Sequence, residues 1–119
     1  MTEKIRKTYT LTPAKAHKYH AKRTNGYASA REATRAAELR LLVRAGKISN
    51  LQEQVRFTLL PAIEEWGYPR PLEYVADFTW IDCPTGKGVV ADAKGFPTPA
   101  YLMKKRLMRQ LLGIEVVEL

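Results

Sequence analysis

The sequence predicts a single α/β domain whose elements run helix, three strands, helix, strand. Three observations predict it. Two stretches rich in helix formers are each opened by an N-cap residue and closed by a glycine. Three β-branched, aromatic or alternating stretches lie between them, two of them joined by a short turn. And 119 residues are enough for one hydrophobic core, not two.

The elements are justified in order. Residues 1–11 show no hydrophobic period and read as an arm. Thr12-Pro13 has the form of an N-cap followed by proline at the first helical position, which predicts a short helix over about 13–21. Asn25-Gly26 breaks the chain. A longer helix is expected from about Ala30 to Ala45, because Ser29-x-x-Glu32 forms a capping box and Gly46 suits the position just past the end. On it, Ala36, Leu39 and Val43 form one stripe, and Glu32 points within that stripe. Leu51–Leu60 alternates Leu51, Val55, Phe57 and Leu59 against Gln52, Gln54, Arg56 and Thr58, with Glu53 breaking the apolar side. Pro61 to Pro71 is a turn-rich connection. Leu72–Asp82 and Lys87–Lys94 are the next strands, joined by the turn Cys83-Pro84-Thr85-Gly86. Thr98-Pro99 repeats the N-cap signal for a helix to about Leu112, which Gly113 ends. Ile114–Glu118 is the last strand.

The composition, 45% hydrophobic and 27% charged, is that of a soluble globular protein. No apolar run approaches the roughly 20 residues of a membrane span, so no membrane partner is expected. No charged-then-apolar leader opens the sequence, so no secretory signal is expected. The single cysteine, Cys83, rules out an internal disulfide and fits a reducing cytoplasm. The net charge is +8, and residues 1–26 carry +6 of it, from Lys4, Arg6, Lys7, Lys15, Lys18, Lys22 and Arg23 against Glu3. The chain therefore divides into a basic arm, 1–26, and a domain, 27–119. A basic arm on a small chain points to a polyanion, most often nucleic acid; a ribosome-type binding protein and a solvated tail are the plainer readings, and charge alone does not separate them. His17 and His20 lie in the arm and read as surface residues or phosphate contacts, since no second His/Cys pair exists for zinc.

The hairpin carries the chemistry. With a four-residue loop, Asp82 pairs with Lys87, and Asp77 falls directly across from Asp92. Facing carboxylates weaken a sheet, and a buried unpaired charge is costly. Something cationic is expected between them. Lys94 projects from the same face as Asp92, so a lysine salt bridge at a sheet edge and a metal ion are both open readings. Glu32 likewise has two readings, the last position of a capping box or a third acid aimed at the sheet.

The pattern Asp77, then Asp92-Ala93-Lys94 across a hairpin, after a helix bearing Glu32, resembles the PD-(D/E)XK nuclease superfamily, whose restriction-endonuclease-like αβββαβ core has the same element order. The closer similarity is to a small phage and prophage family catalogued as domain of unknown function 1064. It rests on Lys18-Tyr19-x-Ala21-Lys22, Ser29-x-x-Glu32-Ala33, Gly46-x-Ile48, Gln54-x-x-Phe57, Tyr74-Val75-Ala76-Asp77-Phe78, Val89-Val90-Ala91-Asp92-Ala93-Lys94-Gly95 and Tyr101-x-x-Lys104-x-x-Leu107.

The resemblance implies a mixed sheet flanked by helices and a metal-dependent endodeoxyribonuclease in phage DNA processing. Asp77, Asp92, the Ala93 carbonyl and Glu32 would hold Mg²⁺ or Mn²⁺. Lys94 would orient the attacking water and offset charge on the phosphorane. Gln54 would orient the scissile phosphate. The partner would be DNA, duplex or branched, with a Holliday-junction resolvase role suggested by analogy of fold and size. Two symmetric cuts would need two sites, as in a homodimer. The setting would be the host cytoplasm. Lys15, Lys18, Lys22, Arg23, Lys104 and Lys105 would contact nucleic acid, although a solvated helix face also explains the last two. Two positions depart from the pattern: Ala76 replaces the proline of the superfamily's name, and Ala91 stands where relatives often carry an acid. Trp66, Trp80 and Phe96 read as core or rim residues, and Tyr101 as a family position that could equally pack under the sheet. The alternative function is a non-catalytic basic nucleic-acid-binding protein on the same fold.

Overall fold

The computed structural model describes residues 26–93 and 97–119. The expected arm helix, the cations Lys15, Lys18, Lys22 and Arg23, and also Lys94 and Phe96, lie outside the described residues.

Helix α1 spans Ala30–Arg44. The Ser29 hydroxyl accepts from the Glu32 N–H at 3.1 Å, which satisfies one of the free donors of the first turn. At the other end Gly46 has φ 74°, and the Gly46 and Lys47 N–H groups close back on the Val43 and Leu42 carbonyls. That closure needs a left-handed residue, which glycine supplies without a Cβ clash.

Strand β1 spans Ile48–Leu60, three residues longer than the alternation predicts. Asn50, at φ 52°, and a register shift between Ser49 and Gln52 interrupt the pairing there. This irregularity breaks the period of two and hides the strand's start from pattern reading. A 3₁₀ turn, Glu64–Trp66, and a bridge between Ile63 and Tyr68 order the connection to β2, Leu72–Asp82. Trp66 is 72% exposed, so it is not a core residue. The Cys83–Gly86 turn leads to β3, Lys87–Asp92. Asp82 organises the turn: its Oδ2 accepts from the Thr85 hydroxyl at 2.7 Å and N–H at 3.2 Å. The Cys83 N–H donates to the Lys47 carbonyl at 3.0 Å, and its free thiol side chain is exposed.

Helix α2 spans Pro99–Leu107, with Thr98 as its N-cap and Pro99 opening the first turn. Its last turn, Met108–Leu112, is wound as a π-helix and ends at Gly113, φ 70°. The final strand β4 is Val116–Glu118, shorter than expected, because Ile114 is buried in the core without joining the ladder.

The four strands form one mixed sheet in the order β1-β2-β3-β4. The first two pairings are antiparallel, and β4 runs parallel to β3 after the α2 crossover. Val55, Phe57, Tyr74, Val90, Tyr101, Met108 and Val116 belong to one core cluster, which α2 covers. Ala36, Leu39, Ile48, Phe78 and Ala93 form a second under α1, with Trp80 packed against it. Phe57 and Phe78 are fully buried, and each contributes about 2–3 kcal/mol by leaving water. Among the described residues no helix is long and apolar enough to cross a membrane.

Candidate functional site

The hairpin register is the one its four-residue loop predicts: Asp82 pairs with Lys87 and the ladder runs to Phe78↔Ala91. The next position sets Asp77 against Asp92. There the strands are joined through side chains. The Asp77 N–H donates to Asp92 Oδ1 at 2.8 Å, and the Ala93 N–H donates to Asp77 Oδ2 at 3.0 Å. Both aspartates are buried, Asp92 completely. Each thus accepts from a main-chain donor that a regular ladder would have satisfied, which lets two carboxylates sit inside the sheet.

The row continues into β1. The pairs Glu53↔Phe78 and Val55↔Ala76 put Gln54 opposite Asp77. Gln54 has φ 53°, a left-handed conformation that a side chain with a Cβ adopts only under constraint. Its Nε2 donates to Asp77 Oδ1 at 3.3 Å and to Glu32 Oε2 at 2.9 Å. Glu32 thus gives its N–H to the Ser29 cap, while its buried carboxylate reaches the sheet. Glu32, Gln54, Asp77 and Asp92 are brought together from α1, β1, β2 and β3.

Two groups flank the cluster, and the sequence reading missed the first, Tyr27 with Arg40. Tyr27 donates its hydroxyl to Glu53 at 3.3 Å, Arg40 donates to the same hydroxyl at 2.8 Å, and the guanidinium lies 5.9 Å from the ring centre. Burial, then the Glu53 carboxylate, pushes the Tyr27 hydroxyl above its ordinary pKa. Glu53, which breaks the apolar pattern of β1, was the available signal. On the other flank Tyr101 is buried and donates to Glu118 at 2.9 Å. Burial first, then that bond and the charges of Asp92, Glu118 and Asp77, holds its hydroxyl well above the usual range.

Lys105 sits on α2 and is engaged with Glu118 at 2.9 Å; Lys104 is half-buried on the same helix. Lys105 also lines a cavity of about 400 Å³ with Leu102, Arg106, Arg109, Glu115 and Val116. None of the four clustered residues lines it.

The donors of the cluster are hard oxygens, the type that Mg²⁺ and Mn²⁺ prefer, and they fit such an ion chemically. As they stand, no three His, Cys, Asp or Glu side chains among the described residues form a group that could hold a metal ion. The Gln54 amide bridges Glu32 and Asp77.

A family model described as "Protein of unknown function (DUF1064)" matches residues 16–114. The chain belongs to this family. The match takes in all four clustered residues, Lys94, and the part of the basic segment that holds Lys18, Lys22 and Arg23. No curated protein matches the chain, and no solved structure does.

Proposed function

We propose that this member of the family is a metal-dependent endodeoxyribonuclease on a restriction-endonuclease-like αβββαβ core of the PD-(D/E)XK kind. One observation carries the reading: Glu32, Gln54, Asp77 and Asp92 are tied together by hydrogen bonds of 2.8–3.3 Å where β2 and β3 stop pairing.

In this reading Asp77, Asp92, the Ala93 carbonyl and Glu32 hold Mg²⁺ or Mn²⁺. Such an ion supplies Lewis-acid stabilisation of charge on the transferred phosphate and a lowered pKa for water. The chain's own groups do the rest. The main-chain N–H groups of Asp77 and Ala93 fix the orientation of the two aspartates. Gln54 is placed to donate to a phosphate oxygen once it is released from the acids. Lys94 follows Asp92 by two positions and offsets charge on the phosphorane. Lys104 and the basic residues of the arm hold the DNA backbone. The substrate is duplex or branched DNA, with junction resolution in phage DNA processing as the finer expectation. Paired cuts would be made by a homodimer in the host cytoplasm.

The non-catalytic DNA-binding reading also has an observation in its favour. Asp77 and Asp92 accept main-chain bonds, so they have a structural use without any chemistry. Incubation of the full chain with supercoiled, linear, single-stranded and four-way-junction DNA separates the two. Cleavage with Mg²⁺ or Mn²⁺ that stops with EDTA and in Asp92→Asn is the expected result. Binding without cleavage under every metal would establish the rival, and full activity in Asp92→Asn would put the site elsewhere.

A further inference from the structure

We infer that the Gln54 amide is a neutral occupant of the position between Glu32 and Asp77, and that a divalent cation binds these acids only by displacing it. The inference rests on the metal reading above and deepens it: the site carries its own competitor for the cation.

The physical argument starts from charge. Glu32 and Asp77 are both buried, and two carboxylates brought together need a donor, a proton or a cation between them. A primary amide nitrogen has two hydrogens, so one group can serve two acceptors at once. Gln54 Nε2 does this, at 2.9 Å to Glu32 Oε2 and 3.3 Å to Asp77 Oδ1. A cation seated in the amide's place between these acids would draw on the same two oxygens.

The rest of the frame is tied down. Asp77 Oδ2 accepts from the Ala93 N–H and Asp92 Oδ1 from the Asp77 N–H, both main-chain donors that stay in place when a side chain moves. Gln54 is half-buried and its backbone is held at φ 53° inside a strand. Its amide is thus the movable member of a fixed set, and the strained backbone is what aims it at the acids. Apparent metal affinity is then the intrinsic affinity reduced by the strength of the two hydrogen bonds that must be given up.

The test uses the full chain, its Gln54→Ala variant and its Gln54→Gly variant. Glycine removes the amide and also accepts φ 53° without strain, so it guards against a variant that fails to fold. Free Mn²⁺ is followed by electron paramagnetic resonance during titration, and thermal melting is recorded in EDTA and in Mn²⁺. Both variants should bind Mn²⁺ about tenfold more tightly than the wild type, because no charge-assisted hydrogen bonds are exchanged for the ion. Their melting temperatures should also rise more on adding Mn²⁺ than that of the wild type. In the unaltered chain, the Gln54 side-chain NH₂ resonances should move from hydrogen-bonded to free positions on adding Mg²⁺. Equal or weaker Mn²⁺ binding by the variants, or amide resonances that stay fixed while Mg²⁺ binds, would overturn the inference alone. Absence of Mn²⁺ binding by all three chains would overturn the metal reading and the inference with it.

Discussion

Substitution of Asp92 separates what this residue does for the fold from what it would do for catalysis. Asp92 is fully buried, and its Oδ1 accepts the Asp77 N–H at 2.8 Å. Asp92→Asn keeps an oxygen at that place and removes the charge. Asp92→Ala removes the oxygen and strands a donor in the interior. A buried donor without its acceptor costs about 1–3 kcal/mol, and truncation adds a small void. Asp92→Ala should therefore lose about 2–3 kcal/mol, and Asp92→Asn about 1 kcal/mol or less. For a domain of this size 1 kcal/mol moves Tm by about 4 °C, so the alanine variant should melt about 10 °C lower. Thermal or urea unfolding in EDTA measures this without any contribution from metal. The asparagine variant should then be well folded and unable to cut DNA. If Asp92→Asn is as unstable as Asp92→Ala, the charge and not the acceptor oxygen joins β2 to β3, and the reasoning fails.

Lys94→Ala should lower turnover more than DNA affinity, which single-turnover kinetics beside a binding titration will show; an equal loss in both would make Lys94 a phosphate contact only. Deleting residues 1–11 removes Glu3, Lys4, Arg6 and Lys7, a net two positive charges, and should weaken DNA binding and flatten its salt dependence, whereas superimposable salt curves would mean that the arm never touches DNA. Folding holds the Tyr101 hydroxyl above its ordinary pKa of 10.0, so its share of stability is complete below that pH and is lost as pH rises through the folded value. Unfolding free energy should fall above about pH 10, and less steeply in Tyr101→Phe; identical slopes would remove Tyr101 as a cause. Trp66→Ala should change stability by no more than about 0.5 kcal/mol, because the indole is exposed; a larger loss in urea unfolding would show packing that its position does not.

The caps and the hairpin were legible because each depends on a few adjacent residues. Ser29 and Gly46 bound α1, Thr98-Pro99 opens α2, and the four residues Cys83–Gly86 set which β2 residue faces which β3 residue. Once that register is known, Asp77 and Asp92 must meet. What stayed hidden depends on backbone states that side-chain identity does not encode. Nothing in the alternation of β1 announces that Asn50 and Gln54 are left-handed, so neither the true start at Ile48 nor the double hydrogen bond of Gln54 could be read. From the sequence, the facing carboxylates call for a cation between them. The structure weakens that step, since the Gln54 amide and two main-chain N–H groups already offset the repulsion. Glu53 looked like a flaw in an apolar pattern and is instead an acceptor for Tyr27 beside α1.

The turn between β2 and β3 offers a handle for labelling. Cys83 is the chain's sole thiol, and it is exposed. Its backbone is pinned to Lys47, so a maleimide dye or nitroxide attached there would stand on an ordered base. At about 3.3 Å per residue the thiol lies roughly 20 Å along β2 from Asp77. A probe at that distance would leave the acids untouched yet remain within range of paramagnetic or energy-transfer measurements. One conjugation step on the natural sequence would thus let an approaching strand of DNA, or a Mn²⁺ ion seated among the carboxylates, be ranged by spectroscopy.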